Sequence, residues 1–155
     1  IEKYNKQVKK IIETGDWYSR QGGMGIVHRN LSVVDQAAIV TAVKNTSITD
    51  PSGSSVDLEG NLIVGAAVGV GADFEERVDK LLNADVDVIC IDSGHGNTSY
   101  QIEAIKHIKK VAPKVALMAG NIATEDGAKR LSQAGADIIR VGMGPGSICT
   151  TRVIT

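Results

Sequence analysis

The chain has 155 residues, of which 43% are hydrophobic and 23% charged, and its formal net charge at pH 7 is -1. This is the balance of one globular domain with enough apolar residues to build a core. The near-zero charge offers no attraction for nucleic acid or an anionic membrane, and no apolar run approaches the roughly 18 residues of a transmembrane helix. Two cysteines are too few for a disulfide framework, which favours a cytoplasmic location.

The first 60 residues divide into three parts. Residues 1–20 predict a basic amphipathic helix of uncertain origin, with Val8, Ile11 and Ile12 on one side. Residues 22–28 predict a strand, and Ser32 is placed to cap a helix over residues 33–44. Residues 45–60 are polar and rich in Ser, Thr, Asp and Gly, which predicts a linker or a long surface loop.

From residue 61 onward, strand and helix patterns alternate with short connections. Apolar runs predict strands over residues 62–68, 86–91, 115–119 and 137–141, and amphipathic patterns predict helices over residues 73–84, 99–111 and 124–134. Continuous apolar strands separated by helices are typical of a parallel sheet covered by helices. Residues 21–155 therefore predict an α/β fold of the (βα)8 TIM-barrel type with about five βα units, since a complete barrel needs roughly 200 to 250 residues.

A short internal repeat supports this architecture. Six residues of the first copy recur about 50 positions later, as expected when two βα units separate equivalent positions of a repeating barrel. The first copy consists of Leu81, Ala84, Asp87, Ile89, Gly94 and Gly96, and the second of Leu131, Ala134, Asp137, Ile139, Gly144 and Gly146.

Polar residues collect where the predicted strands end, which is the ligand-binding edge of parallel α/β folds. Asp92, beside Ser93, could accept ribose hydroxyls or could cap the next turn. Asn121 could face a ligand or could be a turn residue that tolerates positive φ.

The loop from Gly142 to Arg152 carries the most chemistry. Its glycines let the backbone approach a ligand, either with amides that cradle a phosphate or with carbonyls that hold a cation. Cys149, in a polar loop near a cation, is a candidate nucleophile, although such loops can also be simple turns. Cys90 lies inside an apolar strand and is interpreted as a buried structural residue. The three histidines have no metal-ligand spacing.

The segments QGGMGIVHRNLS, VGAAVG, IDSGHGN, AGNIAT and VGMGPGSICTTR occur in this order between Gln21 and Arg152. Together they resemble the barrel segments and the catalytic loop of the inosine-monophosphate (IMP) dehydrogenase and GMP reductase family. The IDSGHGN and HRNLS segments look more like the dehydrogenases. GMP reductase is the alternative reading, and a non-catalytic half-barrel that binds a nucleotide or self-associates is a third.

The resemblance implies oxidation of IMP to xanthosine monophosphate (XMP) with NAD, in purine and GMP biosynthesis. It implies that Cys149 forms a covalent thioimidate with the substrate and that Ser147 binds the IMP phosphate. The carbonyls of Gly144, Gly146 and Cys149 would help hold a potassium ion. Residues assigned to NAD by the resemblance are Asp92, Ser93, Asn121, Arg140 and Gly142. Members of the family suggest a tetramer.

The chain also departs from the family in three ways. The polar stretch 45–60 stands where most members insert a pair of CBS regulatory domains. The first 20 residues do not resemble the family's first barrel strand. The later nucleotide-binding segments and the mobile flap have no counterpart in these 155 residues, so we expect an incomplete chain that does not complete the reaction alone.

Overall fold

The structure, a computed structural model, describes residue 10, residues 19–48 and residues 52–143. In this part of the chain, five strands alternate with four helices. They are β1 (Gly25–Val27), α1 (Val33–Lys44), β2 (Val64–Val68), α2 (Phe74–Asn83), β3 (Val88–Ile91), α3 (Ser99–Val111), β4 (Ala116–Ile122), α4 (Glu125–Ala134) and β5 (Ile138–Val141). The strands form one sheet in the order β1-β2-β3-β4-β5, and the pairs β1–β2 and β4–β5 are parallel. The predicted partial TIM-type barrel is confirmed.

The helices begin where side chains can satisfy the free backbone amides of the first turn. Ser32, Thr98 and Thr124 are the N-caps of α1, α3 and α4, and each side-chain oxygen accepts from an amide three residues on. Such a cap replaces one of the hydrogen bonds that a helix start lacks. None of the described helices is long and apolar enough to cross a membrane.

Strand β4 is longer than its apolar run predicts. It continues past Ala119 to Ile122, and its register with β5 shifts between Gly120 and Ile122. Asn121 therefore lies at an irregularity within a strand, and its φ is not positive, so its interpretation as a turn residue is wrong. The prediction ended too early because an irregular strand keeps its pairing through the neighbouring strand, which a single apolar run does not reveal.

The described residues belong to two compact units. One unit extends to Ala67 and includes Glu75–Val88, and the other consists of Val68–Phe74 and the chain from Ile89 onward. In the first unit, α1 and β2 pack Ile39, Val64 and Ala66 away from solvent. In the second, β3, α3, β4 and α4 bury large aliphatic side chains, among them Ile89, Ile91, Ile105, Ile108, Leu117 and Leu131.

Residues 52–63 form a folded hairpin in the polar stretch between α1 and β2. Val56 and Leu62 make an antiparallel bridge. The Asp57 amide donates to the Asn61 carbonyl over 2.9 Å, and its carboxylate accepts from the amides of Glu59 and Asn61. A contact from outside the hairpin holds its C-terminal end, where the buried Ser19 hydroxyl donates to the Ile63 carbonyl over 2.8 Å. These contacts give residues 52–63 of the polar stretch a defined structure.

Lys44, at the end of α1, joins this hairpin to the sheet. Its ammonium lies 2.8 Å from a carboxylate oxygen of Asp57 and 2.7 Å from one of Asp87, and only 6% of its side chain is exposed. Burial alone would lower the pKa of Lys44, but hydrogen bonds and charge from both carboxylates outweigh burial and raise it. Lys44 therefore stays charged in the folded protein.

This cluster makes stability sensitive to acid. Burial favours a higher pKa for Asp57, but Lys44 and the amides of Asn61 and Glu59 outweigh it and lower the pKa to about 2, from an ordinary value of 3.8. A lowered pKa stabilises the fold above the unfolded value, and this stability is lost as the pH falls through the folded value. We expect Asp57 to account for a loss of about 2 kcal/mol in the free energy of unfolding between pH 5 and pH 2.

Urea unfolding at several pH values would measure this loss. The matched control is Asp57→Asn, which keeps the shape of the side chain but cannot titrate. Its stability should fall less steeply over the same pH range. Equal slopes in the two proteins would show that Asp57 does not carry the acid sensitivity.

The internal repeat seen in the sequence has a structural counterpart. Asp87 accepts from the Val64 amide over 2.8 Å and from Lys44, and Asp137 accepts from the Leu117 amide over 2.8 Å and from Lys109. In both copies, an aspartate that precedes one strand binds the amide of the preceding strand and a lysine near the end of a helix. The aspartate therefore recurs because it forms the same ion pair in both copies. This shared contact argues against a repeat that arose by chance.

The two copies differ at the end of the helix before the repeated strand. Gly135 follows α4 with φ +114°, and Asp85 occupies the equivalent position after α2 with φ +63°. Both amides close the helix by donating to a carbonyl of its last turn. A left-handed position after a helix favours glycine because other residues crowd their own Cβ there.

We expect Gly135→Ala to lower the free energy of unfolding by about 1–2 kcal/mol, because alanine is strained at this positive φ. The new Cβ would also lie 3.2 Å from Lys109 Cγ. Gly135→Asn adds the same Cβ, but Asn tolerates the left-handed region, so its loss should be smaller. Thermal unfolding of both variants tests this, and equal losses would point to the contact with Lys109 as the main cause.

Candidate functional site

The site begins at the carboxyl end of β3, where the chain leaves the sheet at Asp92. The Asp92 amide donates to the Val68 carbonyl over 2.8 Å, which holds the backbone to the end of β2. The carboxylate is 46% exposed and one of its oxygens lies 3.5 Å from Arg140 Nη2. The N-cap of α3 is Thr98, so Asp92 is not the cap of this helix. Asp92 presents a fixed and half-exposed carboxylate.

Gly120 of β4 packs closely against Arg140, the partner of Asp92. Gly120 is the residue of β4 that pairs with Arg140 of β5. A Cβ at Gly120 would lie 2.5 Å from the Arg140 carbonyl oxygen and 3.0 Å from its Cβ, closer than packed atoms approach, and the φ of +135° also disfavours other residues. A side chain at position 120 would therefore displace the backbone of Arg140.

The guanidinium of Arg140 also lies beside Cys90. Cys90 is 1% exposed and burial raises its pKa, although the hydrogen bond and charge of Arg140 oppose this. A buried thiol with a raised pKa is a poor nucleophile, which confirms that Cys90 is a structural residue. Arg140 Nε is buried and has no hydrogen-bond partner among the described residues. Most buried polar side-chain atoms in folded proteins have a hydrogen-bond partner, so this atom is an exception.

Residues 93–98 form a tight loop after Asp92. The Ser93 hydroxyl donates to the His95 carbonyl over 3.0 Å, and the Asn97 amide donates to His95 Nδ1 over 3.1 Å. An acceptor at Nδ1 places the proton of a neutral His95 on Nε2, so this ring offers a donor to its surroundings. The Ser93 hydroxyl is engaged as a donor, which leaves its oxygen able to accept.

Two glycines shape the backbone around these side chains. The Gly96 amide donates to the Asn121 carbonyl over 2.7 Å, and a Cβ at Gly96 would lie 2.7 Å from that same oxygen. Gly142 has φ +119°, its amide donates to Ile122 over 2.8 Å, and nothing lies within 4 Å of its missing Cβ. Gly96 is required for close packing, whereas Gly142 is required for its backbone conformation beside open space.

The five residues that the resemblance assigns to a dinucleotide lie at or near the carboxyl ends of three strands, and the structure brings the side chains of two of them, Asp92 and Arg140, within 3.5 Å of each other. Asp92, Ser93, Asn121, Arg140 and Gly142 belong to one compact unit and follow or end β3, β4 and β5. The other assigned residues, Gly144, Gly146, Ser147 and Cys149, lie outside the described residues. Within the described part, no three His, Cys, Asp or Glu side chains are grouped to hold a metal ion.

Sequence reasoning missed one residue beneath the site, Gln101. Gln101 is completely buried, and its Nε2 donates to the carbonyl of Gly120 over 3.0 Å and to that of Ile91 over 3.5 Å. A signal was present, because a glutamine follows the N-cap at nearly the same distance in α1 and α3. Gly120 lies in the AGNIAT segment noted in the sequence, but its close approach to Arg140 joins two strands and is visible only in the structure.

The described residues of this edge can bind a ligand that carries hydroxyl and amide groups. A half-exposed carboxylate held by an arginine is a good acceptor for paired hydroxyls, as at the ribose sites of dinucleotide-binding folds. Donors are available at His95 Nε2 and at the guanidinium of Arg140. Cys90 is the one cysteine among the described residues, and it is buried.

Comparison with known proteins identifies the family. Residues 15–155 match the family described as IMP dehydrogenase / GMP reductase domain, and this match includes residues 15–20, which carried no resemblance by inspection. The chain is 42% identical over 155 residues to an inosine-5'-monophosphate dehydrogenase of Nitrosopumilus maritimus, covering 95% of this chain and 33% of the relative. It is 52% identical over 101 residues to the protein of the same name from Staphylococcus saprophyticus, covering 65% of this chain and 21% of the relative. The relative from Staphylococcus aureus is 52% identical over 98 residues, which cover 63% of this chain and 20% of the relative.

The chain thus spans a third or less of the length of these curated relatives. The match nevertheless covers nearly the whole chain and includes every strand and helix of the described fold. It also contains all five segments noted in the sequence, from QGGMGIVHRNLS to VGMGPGSICTTR. The chain belongs to the IMP dehydrogenase / GMP reductase family.

Proposed function

We propose that this chain carries the NAD-binding edge and the nucleophile of an IMP dehydrogenase, which oxidises IMP to XMP. The observation that carries the proposal is the family match across residues 15–155, with relatives named inosine-5'-monophosphate dehydrogenase at 42% and 52% identity. Potassium, a tetrameric assembly and a cytoplasmic location are parts of the proposal that rest on the resemblance and on composition.

The residues of the described edge fit a dinucleotide. Asp92 offers a half-exposed carboxylate to ribose hydroxyls, and Ser93 keeps an oxygen free to accept a further hydrogen bond. The nicotinamide would lie near Asn121, Arg140 and Gly142. Arg140 Nε has no hydrogen-bond partner among the described residues. NAD supplies the acceptor for a hydride, and this chain's residues bind and orient it.

The covalent step belongs to Cys149. Its thiolate would add to C2 of the purine ring of IMP, and loss of hydride from C2 to the oxidant would leave a thioimidate. Water would then hydrolyse the carbon–sulfur bond, which releases XMP and returns the thiol. Covalent catalysis of this kind divides one difficult step into two easier ones. Ser147 would bind the IMP phosphate, and the carbonyls of Gly144, Gly146 and Cys149 would hold potassium.

The deciding assay is NADH formation, followed at 340 nm, by the purified chain with IMP, NAD and potassium. IMP-dependent NADH formation that is lost in Cys149→Ala establishes the dehydrogenase. GMP-dependent oxidation of a reduced nicotinamide cofactor would instead identify a GMP reductase. If neither reaction occurs, although the chain binds IMP and NAD, the chain is a catalytically incomplete part of such an enzyme. Failure to bind either nucleotide would contradict the proposal.

A further inference from the structure

Gln101 occupies a special place beneath the candidate site. It lies in the first turn of α3, three residues after the N-cap Thr98, and no part of it is exposed. Its Nε2 donates to the carbonyls of Ile91 and Gly120, which directly precede Asp92 and Asn121 in the chain. One side chain therefore fixes the ends of two neighbouring strands just before two proposed NAD-binding residues.

The first compact unit contains the same arrangement of a buried glutamine and two strands, but none of the proposed NAD-binding residues. Gln36, in α1, is also completely buried, and its Nε2 donates to the Val27 carbonyl at the end of β1 over 3.1 Å and to the Ala67 carbonyl of β2 over 2.8 Å. The two glutamines are therefore equivalent clamps between a helix and two consecutive strands. Their repetition shows that the clamp is part of the fold.

The two clamps differ in how the side-chain oxygen is satisfied. Oε1 of Gln36 accepts from Arg77 Nη1 over 2.8 Å, and Arg77 also donates to the Leu31 carbonyl. Oε1 of Gln101 has no partner among the described residues. The 50-residue repeat places Gly127 where the first copy has Arg77, so the second copy has no side chain to supply the donor.

Because of this difference, we expect Gln36 to contribute more to the stability of the fold and Gln101 more to the position of the residues that follow the strands. Gln36 is locked by two sets of hydrogen bonds, so its removal leaves the buried Arg77 guanidinium without one of its acceptors and should cost more stability. Gln101 acts through the donated bonds of Nε2 alone. Its removal costs less stability but releases the backbone that carries Asp92 and Asn121.

We propose that Gln101 is a positioning residue for NAD, which sets the separation of Asp92 and Asn121 by holding the carbonyls of Ile91 and Gly120. The inference rests on the proposed function in taking NAD as the ligand. The positioning itself rests on the buried amide and its two bonds. Misplacing such groups by a fraction of an ångström weakens binding although each side chain is still present.

The test compares Gln101→Met with Gln36→Met, two substitutions of similar volume at equivalent clamps. Titration calorimetry with NAD and urea unfolding are carried out on both variants and on the parent chain. We expect Gln101→Met to raise the Kd for NAD about tenfold and Gln36→Met to change it less than about twofold. The order for stability should be the reverse, with Gln36→Met the less stable protein.

A loss of NAD affinity that follows the loss of stability, so that Gln36→Met binds as weakly as Gln101→Met or more weakly, would make Gln101 a structural residue only. Amide hydrogen exchange provides a readout that does not need NAD. Gln101→Met should speed exchange at Asp92 and Gly96, whose amides bond at the ends of β2 and β4. Unchanged exchange at both amides would overturn the positioning role, whereas a parent chain that does not bind NAD would count against the proposed function.

Discussion

Cys149 should react with a thiol reagent at least about a hundredfold faster than Cys90, because reactivity follows exposure and thiolate content. Cys90 is 1% exposed and burial raises its pKa, so little thiolate is available at neutral pH. Cys149 follows a glycine-rich stretch and lies three residues before Arg152, a setting that favours the thiolate. We also expect IMP to protect Cys149 if the nucleotide occupies the site as proposed.

Mass spectrometry after timed labelling measures both rates in one sample. Cys149→Ala should abolish the fast phase, and Cys90→Ala should leave it intact, since each variant removes one of the two cysteines. IMP should slow the fast phase in the parent chain, and a nucleoside without the phosphate should protect less if Ser147 binds that group. Equal labelling of the two cysteines, unaffected by IMP, would argue that the nucleotide site is not formed.

Lys44→Met should be the most destabilising of the substitutions considered for the described part of the chain, with a loss of about 3–5 kcal/mol in the free energy of unfolding. The variant leaves the carboxylates of Asp57 and Asp87 without the ammonium that lies within 2.8 Å of both. Methionine fills a similar volume, so little of the loss comes from a cavity. The two carboxylates would then repel each other in a poorly solvated place.

The internal repeat offers the matched control, Lys109→Met. Lys109 pairs with Asp137 over 2.6 Å, but 47% of that aspartate side chain is exposed, against 20% for Asp87. Solvent screens the exposed pair, so its loss should cost about 1 kcal/mol. The loss in Lys44→Met should shrink at low pH, where Asp57 takes up a proton and no longer pairs with Lys44 in the parent chain. Equal losses in the two variants, or no effect of pH on the difference, would show that burial does not decide the strength of these pairs.

Much of the fold could be predicted from local patterns in the sequence. The N-caps Ser32 and Thr124 and the helices that follow them were expected, because a short polar side chain before an apolar periodic run has few other roles. The parallel order of the sheet followed from the alternation of strands and helices. The hairpin at residues 52–63 was not expected, because its stability comes from Lys44 and Ser19, which are distant in sequence.

For the site, the sequence alone located the residues at the strand ends, identified Cys90 as structural and indicated the family, because these depend on residue type and local order. The tertiary structure alone decided which of these residues meet. It showed that Arg140 of β5 lies 3.5 Å from Asp92, which follows β3, and that Asn121 continues a strand. It also showed that Gln101 holds the ends of β3 and β4. The physical reason is that these relations join residues of different strands and helices, and such contacts exist only after the sheet has brought the elements together.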